Sequence, residues 1–182
     1  MVYIDYYFDS AMTKVTGQAV ALWMLLAAIA GMITYILFRR GRMKASTAII
    51  IPILVFFLSF VLTITIFERV PRRRARYNLE LFWTVKRIIA GRTYLVWEVF
   101  WNIVLFMPMG LLVSALIPRR AWTAIPICVV ASAAIEVAQL LTHRGLFEFD
   151  DIIYNSMGAV AGCLLYLMLR KVAKLGFAKG GW

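Results

Sequence analysis

Residues 121–142 read AWTAIPICVVASAAIEVAQLLT, an apolar run that carries one charged side chain, Glu136. A helix that crosses about 30 Å of hydrocarbon needs about 20 predominantly apolar residues. Four other runs reach a similar length with no charged residue: 18–38, 45–67, 99–117 and 152–169. The sequence therefore predicts an all-α integral membrane protein, a bundle of five transmembrane helices in one domain over residues 1–182, with a short last helix.

The composition supports this fold class. The chain has 182 residues, of which 63% are hydrophobic and 16% are charged, whereas soluble domains have about 25% charged residues. A disordered chain, a disulfide scaffold and an ordinary soluble enzyme are therefore excluded. Cys128 and Cys163 lie inside apolar runs without a partner at zinc-site spacing, so neither a disulfide nor a zinc site is expected.

The net charge of +11 would suggest nucleic-acid binding in a soluble protein. In this chain the basic residues lie between the apolar runs, where lysine and arginine anchor helices and contact lipid headgroups. We therefore expect membrane lipids and no nucleic acid as partners. The basic segment between the second and third runs also contains apolar residues at helical spacings, so an amphipathic or re-entrant helix is predicted over 71–97. The aromatic-rich residues 1–17 are expected to lie along the interface.

The orientation follows from weaker signals. Lysine and arginine divide evenly between the two sides, ten each, so the positive-inside rule does not choose. The carboxylates of the loops all fall on the side of the N-terminus, and the short basic connectors fall on the other side. We therefore favour a multi-pass protein of the plasma membrane with its N-terminus outside and its C-terminus inside.

Polar residues of the last three helices converge on one membrane face. The third helix enters from the face of the second loop, the fourth returns to it, and the fifth leaves from it. This placement holds for either orientation, and it predicts a polar pocket at that face. The residues concerned are Glu98, Asn102, Glu136, Gln139, His143, Arg144, Asp150, Asp151 and Asn155.

Glu136 is the most informative of these residues. A carboxylate inside a membrane costs several kcal/mol unless it is paired, protonated or hydrated, so such residues are functional by default. Gln139 and His143 follow at helical spacing on the same face. Glu136 and His143 are the candidates for catalysis, as general base and proton partner.

Each of the other residues has a structural interpretation that is favoured when the residue is taken singly. The amides of Asn102, Gln139 and Asn155 suit hydrogen bonds between helices. Asp150 and Asp151 suit the N-cap of the last helix. Gly158 and Gly162 form a GxxxG pair, which lets two helices approach closely.

No metal or other cofactor is expected. Glu136, His143, Asp150 and Asp151 carry donor atoms, but no pair has the HExxH spacing of a zinc site. A serine nucleophile elbow is absent as well.

Three blocks of this chain resemble the VanZ-like family of small bacterial membrane proteins. They are residues 102–112 (NIVLFMPMGLL), 132–139 (SAAIEVAQ) and 150–158 (DDIIYNSMG). Residues 78–82 (NLELF) are similar to an Asn-Leu-x-Pro-Phe stretch of the family but lack its proline. The residues 144–151 contain one residue more than the family's form, and Glu148 replaces an aspartate. The resemblance covers about 78–170 and implies a membrane protein that affects the cell envelope or antibiotic access, since the family is named for resistance to teicoplanin.

Two functions from different classes remain open. In the first, a polar pocket binds the headgroup of an amphiphile, such as an envelope lipid or a lipoglycopeptide, and changes antibiotic tolerance. Arg144, with Arg92 or Arg87, would bind phosphate or carboxylate. The substrate-binding residues would be Asn102, Glu136, Gln139, Arg144, Asp150, Asp151 and Asn155.

In the second, the protein is an intramembrane enzyme that modifies an envelope lipid with Glu136 as general base. The first is preferred because the chain carries no metal or nucleophile motif. In a third interpretation the protein is an assembly partner whose GxxxG face docks another helix. This interpretation allows the protein to form an oligomer.

Overall fold

The computed structural model describes residues 16–179, and within that range five helices are long and apolar enough to cross a membrane. Along the chain the elements are α1 (Gly17–Arg39), α2 (Ala45–Leu62), a π-helical turn (Thr63–Phe67), β1 (Tyr77–Asn78), α3 (Trp83–Ile89), α4 (Leu95–Leu116), a 3₁₀ segment (Pro118–Thr123), α5 (Ala124–Thr142), β2 (Phe147–Glu148) and α6 (Phe149–Lys179). The all-α membrane fold is confirmed. The residues 1–15, predicted to lie along the interface, are outside the described part of the chain.

The helix ends follow from local chemistry. Thr16 caps α1, because its hydroxyl accepts a 3.2 Å hydrogen bond from the backbone N–H of Ala19. Gly41, with φ +69°, supplies the left-handed residue in the turn between α1 and α2. The last helix differs from its predicted bounds, since its apolar part covers Phe149–Leu175 and is long rather than short. Asp150 and Asp151 thus fall inside its first turn.

Close backbone contact between α4 and α6 organises the bundle. A Cβ atom on Gly158 would overlap the carbonyl oxygen of Ile103, and one on Gly162 would overlap that of Met107. Gly110 of α4 packs in the same way against the backbone of Ala159. The GxxxG pair is therefore used inside this chain, because only glycine lets the two backbones come so close.

The other helices are arranged around this pair. α5 packs on α6, α2 packs on α4, and α1 packs on α2 at the edge of the bundle. Trp23 ties α1 to the π-helical turn, because its indole N–H donates a 2.9 Å hydrogen bond to the hydroxyl of Thr63. The apolar core lies between α2, α4, α5 and α6, around Val61, Phe106 and Cys128. Many large apolar side chains outside it are exposed, as expected for helices that face lipid tails.

The segment predicted as an interfacial helix over 71–97 has little helix. It contains β1, the seven-residue helix α3 and the start of α4. β1 pairs in parallel with β2, with Asn78 opposite Glu148. This strand pairing holds the segment against the loop before α6 and places it over the polar ends of α5 and α6.

Candidate functional site

Glu136 lies inside the bundle and is 2% exposed. α5 places it on the same face as Ser132 and Gln139, which are also buried. Its Oε2 atom accepts a 2.9 Å hydrogen bond from the backbone N–H of Glu148 in β2. The loop before α6 therefore folds back over the polar end of α5.

Asp151 connects α6 to α4 by a side-chain hydrogen bond, at the same end of the bundle as Glu136. Its Oδ1 atom accepts a 2.7 Å hydrogen bond from the side-chain amide of Asn102. The charge of Asp151 also acts on Glu98, Glu136 and Glu148. We call these four carboxyl groups, Glu98, Glu136, Glu148 and Asp151, the acid cluster.

Arg69 is the cation of this site. It follows the π-helical turn, and its charge acts on Glu98, Glu136 and Asp151. Its Nη1 atom would lie 3.1 Å from a Cβ atom on Gly145, and the Oε1 atom of Gln139 would lie 2.6 Å from the same point. Gly145 therefore leaves the space in which the arginine and the glutamine face each other.

Asp150 has a structural partner that the sequence did not suggest. Its side chain is 1% exposed and accepts hydrogen bonds from the backbone N–H groups of Phe82 at 2.6 Å and Thr84 at 2.9 Å. Phe82 has φ +59°, and α3 has no side-chain cap of its own at that position. Asp150 therefore caps α3, whereas the sequence suggested a cap for its own helix.

The amide side chains of Gln139 and Asn155 each bond a neighbouring segment. The Nε2 atom of Gln139 donates a 3.2 Å hydrogen bond to the carbonyl of Thr65 in the π-helical turn. The Nδ2 atom of Asn155 donates a 2.8 Å hydrogen bond to the hydroxyl of Ser132. In each amide the oxygen atom is buried without a hydrogen-bond partner. These residues thus connect helices while keeping an unused acceptor.

Arg144 and His143 lie outside the acid cluster. Arg144 donates a 2.7 Å hydrogen bond to the carbonyl of Phe67, and so closes the end of the π-helical turn. His143 is exposed and ends α5 in a left-handed conformation with φ +57°. Its backbone carbonyl accepts a hydrogen bond from Arg72. Within the described residues, no hydrogen bond or ion pair joins its imidazole to Glu136.

Glu148 lies outside the membrane-spanning helices and has a perturbed acidity. Burial, followed by the negative charges of Asp151 and Glu98, raises the pKa of its carboxyl from 4.5 to about 7. The polar side chains of Trp83 and Asn78 act in the opposite direction and lower this pKa. The side chain therefore changes its charge near neutral pH.

An apolar groove lies on the outer face of α5 and α6. Its lining consists of Val129 from α5 and, from α6, Ile152, Ile153, Ser156, Met157, Val160, Ala161 and Leu164. The groove encloses about 610 Å³. Ile152 and Ile153, which follow Asp151 in the chain, lie at one end of the groove.

The acids are not arranged as a metal centre. Among the described residues, no three histidine, cysteine, aspartate or glutamate side chains are close enough together to hold a metal ion. The arrangement instead offers hydrogen-bond acceptors spread over several segments near the guanidinium of Arg69.

Two residues of this site were missed from the sequence. Arg69 counted only as one of ten basic residues on its side, although it lies two residues beyond the second apolar run. In the sequence, Glu148 is one of the loop carboxylates on the side of the N-terminus and a departure from a family motif. Only the topology points to both residues, because the second loop and the loop before α6 are predicted to lie at the same membrane face.

Comparison with known proteins supports the family resemblance. Searches of curated proteins and of solved structures gave no match. A model of the VanZ/LLP1 family matches residues 46–170, which adds α2 and the π-helical turn to the region that carried the resemblance. Because this match covers more than half of the sequence, the chain belongs to the VanZ/LLP1 family.

Proposed function

We propose that this multi-pass membrane protein binds the headgroup of an amphiphile at one membrane face and thereby affects the cell envelope and the access of glycopeptide-type antibiotics. One observation carries the proposal: four carboxyl groups and Arg69, which come from five separate segments, interact through their charges at one end of an otherwise apolar bundle. Ionisable groups inside a membrane are costly and mark binding sites or ion pathways. Residues with perturbed pKa values, such as Glu148, are likewise concentrated at functional sites.

The proposed ligand is an envelope lipid or a lipoglycopeptide, and the proposed location is the plasma membrane. The site would face outward, with the N-terminus outside and the C-terminus inside. A cysteine placed after Lys171 in a cysteine-free background tests this orientation. Protection from a membrane-impermeant thiol reagent in intact cells supports it, and labelling from outside reverses it.

Drug susceptibility tests the function. Cells that express the Glu136→Gln variant are compared with cells that express wild-type protein, at equal membrane levels, for growth in teicoplanin and for accumulation of a fluorescent glycopeptide. We expect the variant to lose tolerance, because an amide cannot take up the negative charge that a carboxyl group can. Glu80→Gln is the matched control, since Glu80 is exposed and pairs with Lys86 at 2.5 Å. Equal susceptibility of Glu136→Gln and wild-type cells contradicts the proposal.

A catalytic function has one supporting observation. The carboxyl of Glu148, with a pKa of about 7, can both accept and release a proton near neutral pH. Glu136 accepts the hydrogen bond from the Glu148 backbone and therefore lies beside it, whereas His143 is exposed. Purified protein incubated with radiolabelled envelope lipids tests this alternative. A changed lipid that is absent with Glu136→Gln and Glu148→Gln supports it, and unchanged lipids contradict it.

A further inference from the structure

We infer that the acid cluster binds a primary ammonium group, carried by an amphiphile whose acyl chain lies in the groove between α5 and α6. This inference rests on the proposed function and specifies its ligand. It departs from the sequence-based hypothesis in which Arg144 and its neighbours bind phosphate or carboxylate.

The charge balance of the site favours a cationic ligand. The charge of Arg69 acts on Glu98, Glu136 and Asp151, and the hydrogen bonds of Glu136 and Asp151 each engage one carboxylate oxygen. A negatively charged headgroup would repel these carboxylates, whereas an ammonium group beside them favours their charged form. Arg144 donates its hydrogen bond to the carbonyl of Phe67, so that guanidinium N–H is already used outside the acid cluster.

The buried amides point to a ligand that donates hydrogen bonds. Gln139 is 2% exposed and Asn155 is 4% exposed, and the side-chain oxygen of each has no hydrogen-bond partner. The Gln139 oxygen faces the space beside Arg69 in front of Gly145, and Asn155 lies one helical turn after Asp151. An unsatisfied buried acceptor costs free energy, which a donor group of a ligand would recover.

An ammonium headgroup fits this spread of acceptors better than a bare metal ion. Ca²⁺ and Mg²⁺ need several oxygen ligands converging at about 2.0–2.6 Å. No three acidic or metal-binding side chains of the described residues converge in this way. An ammonium group provides three donors at hydrogen-bond length, and the hydroxyl or amide donors of a larger headgroup reach the remaining acceptors.

The groove accounts for the apolar part of the ligand. It extends along α6 from Ile152 to Leu164, which is about 18 Å at 1.5 Å per residue. That length is close to half of the hydrocarbon thickness of about 30 Å. A single acyl chain with its headgroup at the acid cluster therefore fits the groove within one leaflet.

Binding of matched single-chain lipids tests the inference. The purified full-length protein is placed in phosphatidylglycerol nanodiscs and titrated with lysophosphatidylethanolamine, its N-acetyl derivative and lysophosphatidylcholine, all with one acyl chain. Native mass spectrometry measures occupancy. We expect lysophosphatidylethanolamine to bind about tenfold or more tightly than the other two, because only its headgroup donates charge-assisted hydrogen bonds. Glu136→Gln and Asp151→Asn should abolish this preference, and the control Glu80→Gln should keep it.

A second pair of variants tests the groove. Ala161→Leu partly fills it and should weaken binding of all three lipids, whereas Ala28→Leu on the exposed face of α1 should not. Equal binding of the three lipids by wild-type protein, or a preference for the acetylated lipid, overturns the ammonium assignment. If that happens while Glu136→Gln still abolishes drug tolerance, the proposed function stands and its ligand class is wrong.

Discussion

The carboxylate of Asp150 in α6 caps α3 through a 2.9 Å hydrogen bond from the backbone N–H of Thr84, 66 residues earlier in the chain. Asp151, the next residue, instead bonds Asn102 and repels the other acids. Two adjacent aspartates thus have different environments. One satisfies backbone donors of a neighbouring element, and the other belongs to the acid cluster.

Replacing these two aspartates should separate stability from function. Asp150→Ala leaves two backbone N–H groups of α3 without their acceptor, so we expect a loss of about 1–3 kcal/mol in the free energy of unfolding. Asp151→Asn keeps a side chain of the same size and removes repulsion from Glu98, Glu136 and Glu148, so stability should fall little or rise. Unfolding by sodium dodecyl sulfate in mixed micelles measures both. A larger loss for Asp151→Asn would contradict the assigned roles.

The glycines between α4 and α6 should not tolerate a methyl group. Gly162→Ala would place a Cβ atom against the carbonyl of Met107, and backbone cannot move aside as a side chain can. We expect a destabilisation of about 1–3 kcal/mol in the same assay. Gly31→Ala is the control, because its Cβ atom would meet Pro52 at an ordinary 3.6 Å and alanine favours the helix. Equal stability of the two variants would contradict the close α4–α6 contact.

Arg69 and Glu136 should be energetically coupled. Arg69→Met removes the positive charge that faces Glu98, Glu136 and Asp151, so the acids repel one another without compensation. The cost in unfolding free energy should be smaller when Glu136 is already glutamine, with a coupling energy of about 0.5–3 kcal/mol. The double-mutant cycle measures this coupling. Arg73→Met, in the same loop and exposed, should show none, and additive effects of the Arg69 and Glu136 changes would contradict the pairing.

Stability should depend on pH through Glu148. Its pKa rises from 4.5 to about 7 on folding, so between these values the folded protein holds a proton that the unfolded chain releases. Stability from this group is therefore present below pH 4.5, decreases as the pH rises to about 7, and stays constant above that. Glu148→Gln should remove this part of the dependence. The unfolding midpoints of wild type and variant are compared at about pH 4.5 and about pH 7.5, on either side of this window. If the midpoint changes equally between these pH values in both proteins, the assignment to Glu148 is wrong.

Much of the fold follows from local sequence. The five spans were predictable because each apolar run is long enough to cross a membrane and ends at charged residues. The structure of residues 71–97 was not predictable, because their apolar residues recur at mixed spacings. Such spacings do not indicate that Tyr77 and Asn78 pair with β2. The start of α6 was placed late, since its first residues are charged and satisfy donors of other elements.

The sequence predicts which residues of the candidate site share one end of the helices, and it does not predict their partners. Counting helix crossings predicts Glu136 and Asp151 at one membrane face, and in the structure the charge of Asp151 acts on Glu136. The sequence analysis proposes Arg144, with Arg92 or Arg87, as the cations of the site. In the structure Arg144 closes the π-helical turn, and Arg69 faces the acids.

The sequence by itself determined that this chain has five apolar helices, and it predicted that the acids of the last three helices lie toward the same end. Those properties depend on hydrophobic length and on the order of crossings, both of which are local or countable. The tertiary structure alone decided which guanidinium interacts with Glu136, which aspartate caps α3, and where the apolar groove between α5 and α6 lies. Those properties depend on contacts between segments far apart in the chain, and the spacing of residues along one segment carries no information about them.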